Sequence, residues 1–163
     1  MFIETHHPPN LLVSMTSFRS ELRAQGTAAL VGEVETAHGW EEHPNTMTLY
    51  FPETSADGFR VGLEASDAGV ILTAGGMHVP LDDAESPVDQ VRVALGLVRD
   101  LLSVRMRLRE LRFAGMPYRW YLESEHDGAW SVEHEMGLLF WAPAALASMT
   151  IYQNRQLPPR RAV

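Results

Sequence analysis

The chain has 163 residues, of which 45% are hydrophobic and 21% charged, and a formal net charge of −8. That length suits one domain burying roughly 70% of the surface its unfolded chain exposes, and the composition excludes a disordered chain. Cysteine is absent and all thirteen basic residues are arginine, which excludes disulfides, thiolate zinc sites, cysteine nucleophiles and lysine Schiff bases.

The chain is expected to form a single domain over residues 1–163, with 1–9 and 158–163 as frayed tails. Met1 to Pro9 has no cationic region followed by a long apolar run, so no signal peptide is expected. The sequence offers no uninterrupted apolar run of the ~18 residues a spanning helix needs, and a negative net charge disfavours phosphate contacts. These features point to a soluble, cytoplasmic protein with no membrane and no nucleic-acid partner. Residues 1–85 carry thirteen carboxylates against Arg19, Arg23 and Arg60, a balance near −10, whereas the rest of the chain is near +2. Such a split either attracts a basic partner or is satisfied when the halves fold together.

In chain order, Asn10 is placed to cap a helix in which Leu11, Leu12, Met15, Phe18 and Leu22 recur every three or four residues, ending at Gly26. The period then becomes two. Leu30 and Val34, then Met47, Leu49 and Phe51, then Phe59, Val61 and Leu63, and finally Val70 to Leu72 predict a four-strand antiparallel meander that closes at Gly75-Gly76. Ser86, Pro87 and Asp89 spell a capped helix start, followed by an apolar stripe of Val88, Val91, Ala94, Leu95, Val98, Leu101 and Leu102.

Arg105 and Arg109 interrupt that stripe. Residues Val104 to Phe113 read either as a helix continuing with a rotated face or as a strand with Val104, Met106 and Leu108 inward. The helix is favoured, because Gly115 and Pro117 supply a stop and no turn residue separates the segment from Ser103. Trp120 to Glu125 and Trp130 to Leu138 form a hairpin, for which a three-residue loop, Asp127-Gly128-Ala129, pairs Ser124 with Val132 and Leu122 with His134. Leu146 to Leu157 ends the fold as a strand or short helix. The expected class is therefore α+β: helix, four-strand meander, long helix and two to three further strands, with the helices packed on one face of an antiparallel sheet.

That hairpin register gathers Glu123, Glu125, Glu133 and Glu135 on one face, with Glu123 opposite Glu133. Like charges across a sheet cost about 0.2–1 kcal/mol per pair unless a cation covers them. Arginines of the same chain, a basic segment of a partner or a divalent cation would serve. Tyr121 and Trp141 are candidate aromatic anchors beside this face, although the aromatics Trp120, Tyr121, Trp130, Phe140 and Trp141 read first as core. His38, Glu41 and His43 are metal-ligand residue types in a segment read as an inter-strand loop, but without the helical spacing of a metalloprotease motif. His126 and His134 alternate onto the apolar side of the hairpin, away from the glutamates. No nucleophile motif and no phosphate loop occurs, so no catalytic residue and no cofactor is assigned.

In the order of its elements the chain is similar to small acidic secretion chaperones, which pack a helix, a meander, a second helix and further strands, commonly as dimers. Negative charge concentrated in the first half, together with the absence of catalytic signatures, leads to the expectation of a non-catalytic, chaperone-, adaptor- or immunity-like domain. It would engage a basic or amphipathic protein segment, with Glu123, Glu125, Glu133, Glu135, Tyr121 and Trp141 at the interface and a homodimer as a possible state. The alternative is a small metal-dependent enzyme or metal-binding protein built on His38, Glu41 and His43.

Overall fold

The computed structural model describes residues 11–26, 30, 38–66, 68–81, 86–138 and 146–157. The fold is α+β, and the described residues form two helices and nine strands in two antiparallel sheets. Helix α1 spans Leu11–Gly26 and is followed by β1 (Gly39–Glu42), β2 (Thr46–Phe51), β3 (Val61–Ser66), β4 (Gly69–Ala74) and β5 (Met77–Pro80). Helix α2 (Pro87–Leu101) leads into β6 (Met106–Phe113), β7 (Met116–His126), β8 (Ala129–Gly137) and β9 (Ser148–Tyr152).

The first sheet is a meander in the order β1-β2-β3-β4-β5. Its period-two pattern makes one face apolar: Trp40, Leu49, Leu63, Leu72 and Val79 lie in a row across the five strands, beside the row Phe51, Val61, Ala74 and Met77. Both helices pack there, against each other and against the middle strands. Leu22 of α1 and Val91, Ala94, Val98 and Leu101 of α2 are fully buried in the same core. Each leucine or valine among them contributes roughly 1.5–3 kcal/mol of transfer free energy, and Ala94 less. The cap of α2 forms as the sequence dictates, with Ser86 accepting from the Asp89 N–H at 3.2 Å, although Val88 at its first turn is exposed.

Three expectations are corrected. The meander does not end at Gly75-Gly76: Gly75 adopts φ +58° and the pair turns the chain into β5. The segment read as a loop, His38 to His43, supplies edge strand β1. The first strand expected from Ala28 falls outside the described residues, apart from the buried Leu30.

The third correction concerns residues 104–113, which form a strand and not a continued helix. Ser103 is itself the turn: its hydroxyl donates to the Asp100 carbonyl at 2.8 Å and accepts from the Arg105 N–H at 3.2 Å, drawing the backbone out of the helical path. Beyond it Met106, Leu108 and Glu110 are buried while Arg107 and Arg109 alternate to the other side. Period two therefore explains Arg109, which a helical wheel places on its apolar stripe, while Arg105 lies in the turn. Val104 lies in the turn and is exposed.

The second sheet runs β8-β7-β6-β9. Its inner face, with Met106, Leu108, Trp120 and Leu122, continues the core of the first sheet. The β4–β5 turn packs on it so closely that a Cβ on Gly76 would lie 3.2 Å from the Trp120 indole, and one on Gly75 2.7 Å from Leu108. Residues 153–157 tie the second sheet to the loop after β2 and to the end of α2: the Gln153 N–H donates to the Asp57 carbonyl at 2.6 Å, Gln156 Nε2 to the Pro52 carbonyl at 3.1 Å, and the Gln156 and Leu157 N–H groups both to the Leu102 carbonyl.

Candidate functional site

The outer face of the second sheet is not covered by either helix, and the sequence builds it from strand alternation. On β6, Arg107, Arg109 and Leu111 point out; on β7, Arg119, Tyr121 and Glu123; on β8, Trp130, Val132 and Glu135; on β9, Met149 and Ile151. Glu123 is the centre of this face. It is only 4% exposed, with Oε2 accepting from Arg107 Nε at 2.6 Å and Oε1 from Arg109 Nε at 2.7 Å. Each arginine also stacks on an aromatic ring, Arg107 over Trp130 and Arg109 over Tyr121, both 4.1 Å from the ring centre. Arg119 donates to the Tyr121 hydroxyl at 3.3 Å and lies 3.4 Å from Glu135. The Tyr121 hydrogen bond is the main cause that holds the Arg119 guanidinium above its ordinary value.

At the margins of this locked centre the surface carries exposed apolar side chains beside Glu125 and Glu135. Val132 is 48% exposed on one margin, and Met149 and Ile151 are 57% and 41% exposed on the other. Exposed large side chains at the margins of a rigid charged and aromatic lattice make a surface that another chain can cover.

The hairpin register departs from the expected one. The loop is the two-residue turn Asp127-Gly128, with φ +52° and +81°, as a type I′ turn requires, and it pairs His126 with Ala129 and Glu123 with Val132. A bulge then inserts Glu133, after which Leu122 pairs with His134 as anticipated. Without it a two-residue loop would set Leu122 against Glu133 and mix the two faces of the hairpin; the bulge restores Leu122 to His134. It also divides the glutamates, because Glu133 lies on the opposite face from Glu123 and does not oppose it.

Each of the four glutamates has a partner within the chain. Glu123 has Arg107 and Arg109, Glu135 has Arg119, and Glu125 accepts from the Gly128 N–H at 3.0 Å. Glu133 accepts from the hydroxyls of Ser124 and Ser131 and lies 3.5 Å from His126 Nε2. The Ser124 hydrogen bond is the largest cause holding the Glu133 carboxyl below its ordinary value, followed by Ser131 and His126. His126 thus stands beside a glutamate, contrary to expectation, while His134 faces Leu122 and is half-buried.

Ser124, His126 and Glu133 are residue types of a hydrolytic triad, but their order is different. Ser124 Oγ and Glu133 Oε1 approach the same ring nitrogen, Nε2, at 2.9 and 3.5 Å, and Ser124 donates to Glu133 directly. A triad places the acid on the far nitrogen. The cluster borders a cavity of about 260 Å³ beside Leu97, Asp100 and His134.

A cleft of about 420 Å³ opens between the 53–60 loop, the β4–β5 turn and the inner face of β6, with Phe59, Leu108, Glu110 and Tyr152 in its wall. Both oxygens of buried Glu110 are engaged, Oε1 by Arg112 at 2.5 Å and Oε2 by the Trp120 indole N–H at 2.9 Å. Glu110 in turn is the chief cause raising the Arg112 guanidinium above its ordinary value. This carboxylate satisfies a buried indole.

The residues considered for metal are held apart. His38 rests near the Phe51 ring, Glu41 lies 3.5 Å from Arg60, its neighbour Glu42 pairs with Arg23, and His43 is exposed. Among the described residues no three histidine or carboxylate side chains converge on a metal-sized space. Trp141 lies outside the described residues, whereas Tyr121 is half-buried on the outer face.

No protein-family profile, curated protein or solved structure matches this chain. Among the described residues no helix is long and apolar enough to cross a membrane.

Sequence reasoning missed Arg107, Arg109, Trp130, Val132, Met149 and Ile151. The signal was present in Met106-Arg-Leu-Arg-Glu110, where apolar and charged residues alternate strictly once the segment is read with period two.

Proposed function

We propose that this chain is a non-catalytic protein-binding domain that docks an amphipathic segment of a partner on the outer face of its second sheet. One observation carries the reading: the face of a four-stranded sheet that neither helix covers holds a fixed Arg–aromatic–Glu lattice, with exposed apolar side chains at its margins. Internal neutralisation of Glu123 and Glu135 favours an amphipathic occupant over a purely basic one. Apolar side chains of the segment would cover Val132 and Trp130, and its polar side chains would meet the rims of Arg109, Arg119 and Glu135. Rings and guanidinium groups already held in place lose little conformational entropy when covered, which is the chief cost of such a contact.

Site-specific photocrosslinking in the source cell tests this. A crosslinker at Tyr121 and another at Val132 should capture one and the same protein, which a crosslinker at Thr48 on the first sheet does not. Val132→Asp should then weaken the purified partner by about tenfold or more, with the fold unchanged by circular dichroism. Adducts that do not differ between the two sheets, or an affinity indifferent to Val132→Asp, would overturn the reading.

A further inference from the structure

The two sheets present four edges among the described residues, and three of them are blunted. β1 carries Glu41 and Glu42; β5 has four residues, ends at Pro80 and lies against β8; β8 is broken by the Glu133 bulge and carries Glu133 and Glu135. Charges, proline, shortness and bulges are the devices by which sheet edges avoid pairing with other chains. β9, Ser148-Met149-Thr150-Ile151-Tyr152, carries no charge and no proline and pairs with β6 without a register shift; among the described residues, loop cover of its free edge begins only beyond it, at Gln153, whose N–H donates to the Asp57 carbonyl at 2.6 Å. Its outward side chains Met149 and Ile151 are the apolar ones, and both are exposed.

We infer that β9 pairs antiparallel with β9 of a second copy of this chain, about a twofold axis at Thr150, joining two four-stranded sheets into one of eight strands. The strand is self-complementary in that register. Thr150 faces its own copy, Met149 faces Ile151 of the other chain, and Ser148 faces Tyr152. A twofold contact requires each residue to meet its partner reciprocally, and this register does so without opposing any two charges. On the outer face it places Met149 and Ile151 of both chains beside both copies of Leu111, which lies next to Met149 across β6. The apolar margin, divided on the monomer surface, becomes a continuous stripe over the seam. Self-pairing of β1 or β8 would instead bring glutamates onto glutamates.

The pairing leaves the faces of the sheet open, and it stands whether or not those faces bind a partner. Light scattering of the full chain should give twice the chain mass. Because the chain lacks cysteine, Thr150→Cys supplies a register-specific probe. It should form an intermolecular disulfide under mild oxidation much faster than Met149→Cys, Ile151→Cys or the distant control Thr48→Cys. Met149→Glu with Ile151→Glu opposes carboxylates across the seam and should halve the mass. Met149→Arg with Ile151→Glu restores opposite signs and should return it to the dimer value. A monomer at the highest soluble concentration, or a dimer that Thr150→Cys does not trap and the charge pairs do not change, overturns the inference.

Discussion

Asn154 holds both backbone polar groups of Phe59: its Oδ1 accepts from the Phe59 N–H at 3.1 Å and its Nδ2 donates to the Phe59 carbonyl at 3.0 Å. The same amide donates to the Leu101 carbonyl at 3.1 Å, at the end of α2. One fully buried side chain thereby joins the entry to β3, the last turn of α2 and the segment after β9.

Asn154→Ala should cost about 2–4 kcal/mol in urea unfolding, because it removes three buried hydrogen bonds and strands their backbone partners. Asn154→Asp keeps the acceptor, loses both donors and sets a charge against two carbonyls. It should be the more damaging at neutral pH and should recover part of its loss in acid, where the carboxyl is protonated. An alanine effect below about 1 kcal/mol would show that the three elements are held by other contacts.

At the outer face, Glu123→Gln keeps the shape of the side chain but leaves Arg107 and Arg109 adjacent with no counter-charge. Breaking a buried pair costs about 3–5 kcal/mol; these arginines retain some water, so about 2–3 kcal/mol is expected. At about 2–4 °C per kcal/mol for a chain of this size, thermal unfolding should fall by about 4–12 °C. Loss of the Arg107–Trp130 stack should also appear in tryptophan fluorescence.

The β6–β7 turn offers a gain in stability. Ala114 and Gly115 adopt φ +50° and +81°, the same pattern that Asp127 and Gly128 use in the next hairpin. Alanine is strained in the left-handed region by roughly 1–2 kcal/mol, whereas asparagine tolerates it. Ala114→Asn should therefore stabilise the protein by about 1 kcal/mol. Gly128→Ala should cost about as much, although nothing lies within 4 Å of the added Cβ. Equal denaturation midpoints for the wild type and Ala114→Asn would contradict the turn assignment.

Acid should loosen the β7–β8 hairpin through Glu133. Its folded carboxyl is held below the ordinary 4.5 by the Ser124 hydrogen bond, then by Ser131 and His126. A depressed carboxyl contributes stability that is fully present above its unfolded value and is lost as the pH falls through the folded one. The wild type should lose stability below about pH 4.5 more steeply than Glu133→Gln, and the two curves should converge in strong acid. Parallel curves would sink the assignment. Amide exchange at Ser131 and Val132 provides the local readout.

Some of this molecule is written in local patterns. Ser86, Pro87 and Asp89 start α2 through contacts three residues apart, and Met47, Leu49 and Phe51 bury one side of β2, so period and capping sufficed for both. The α+β class, the start of α2 and the apolar face of the meander were thus legible from the chain, because neighbouring residues supply those interactions, whereas Asn10, read as the cap of α1, lies outside the described residues. Local pattern did not determine that Ser103 ends α2 and releases β6. That depends on a strand ladder with β7 and β9, whose partners lie up to forty-four positions away, as Leu108 and Tyr152 do.

The outer face followed from the same distant pairings. Glu123 meets Arg107 and Arg109 because β6 lies beside β7, and Glu133 leaves the acidic row because a tight Asp127-Gly128 turn forces a bulge to restore the Leu122–His134 register. Charge in the sequence counts carboxylates and arginines but not their faces. Tertiary structure alone decided which were paired and which apolar side chains at their margins were left exposed.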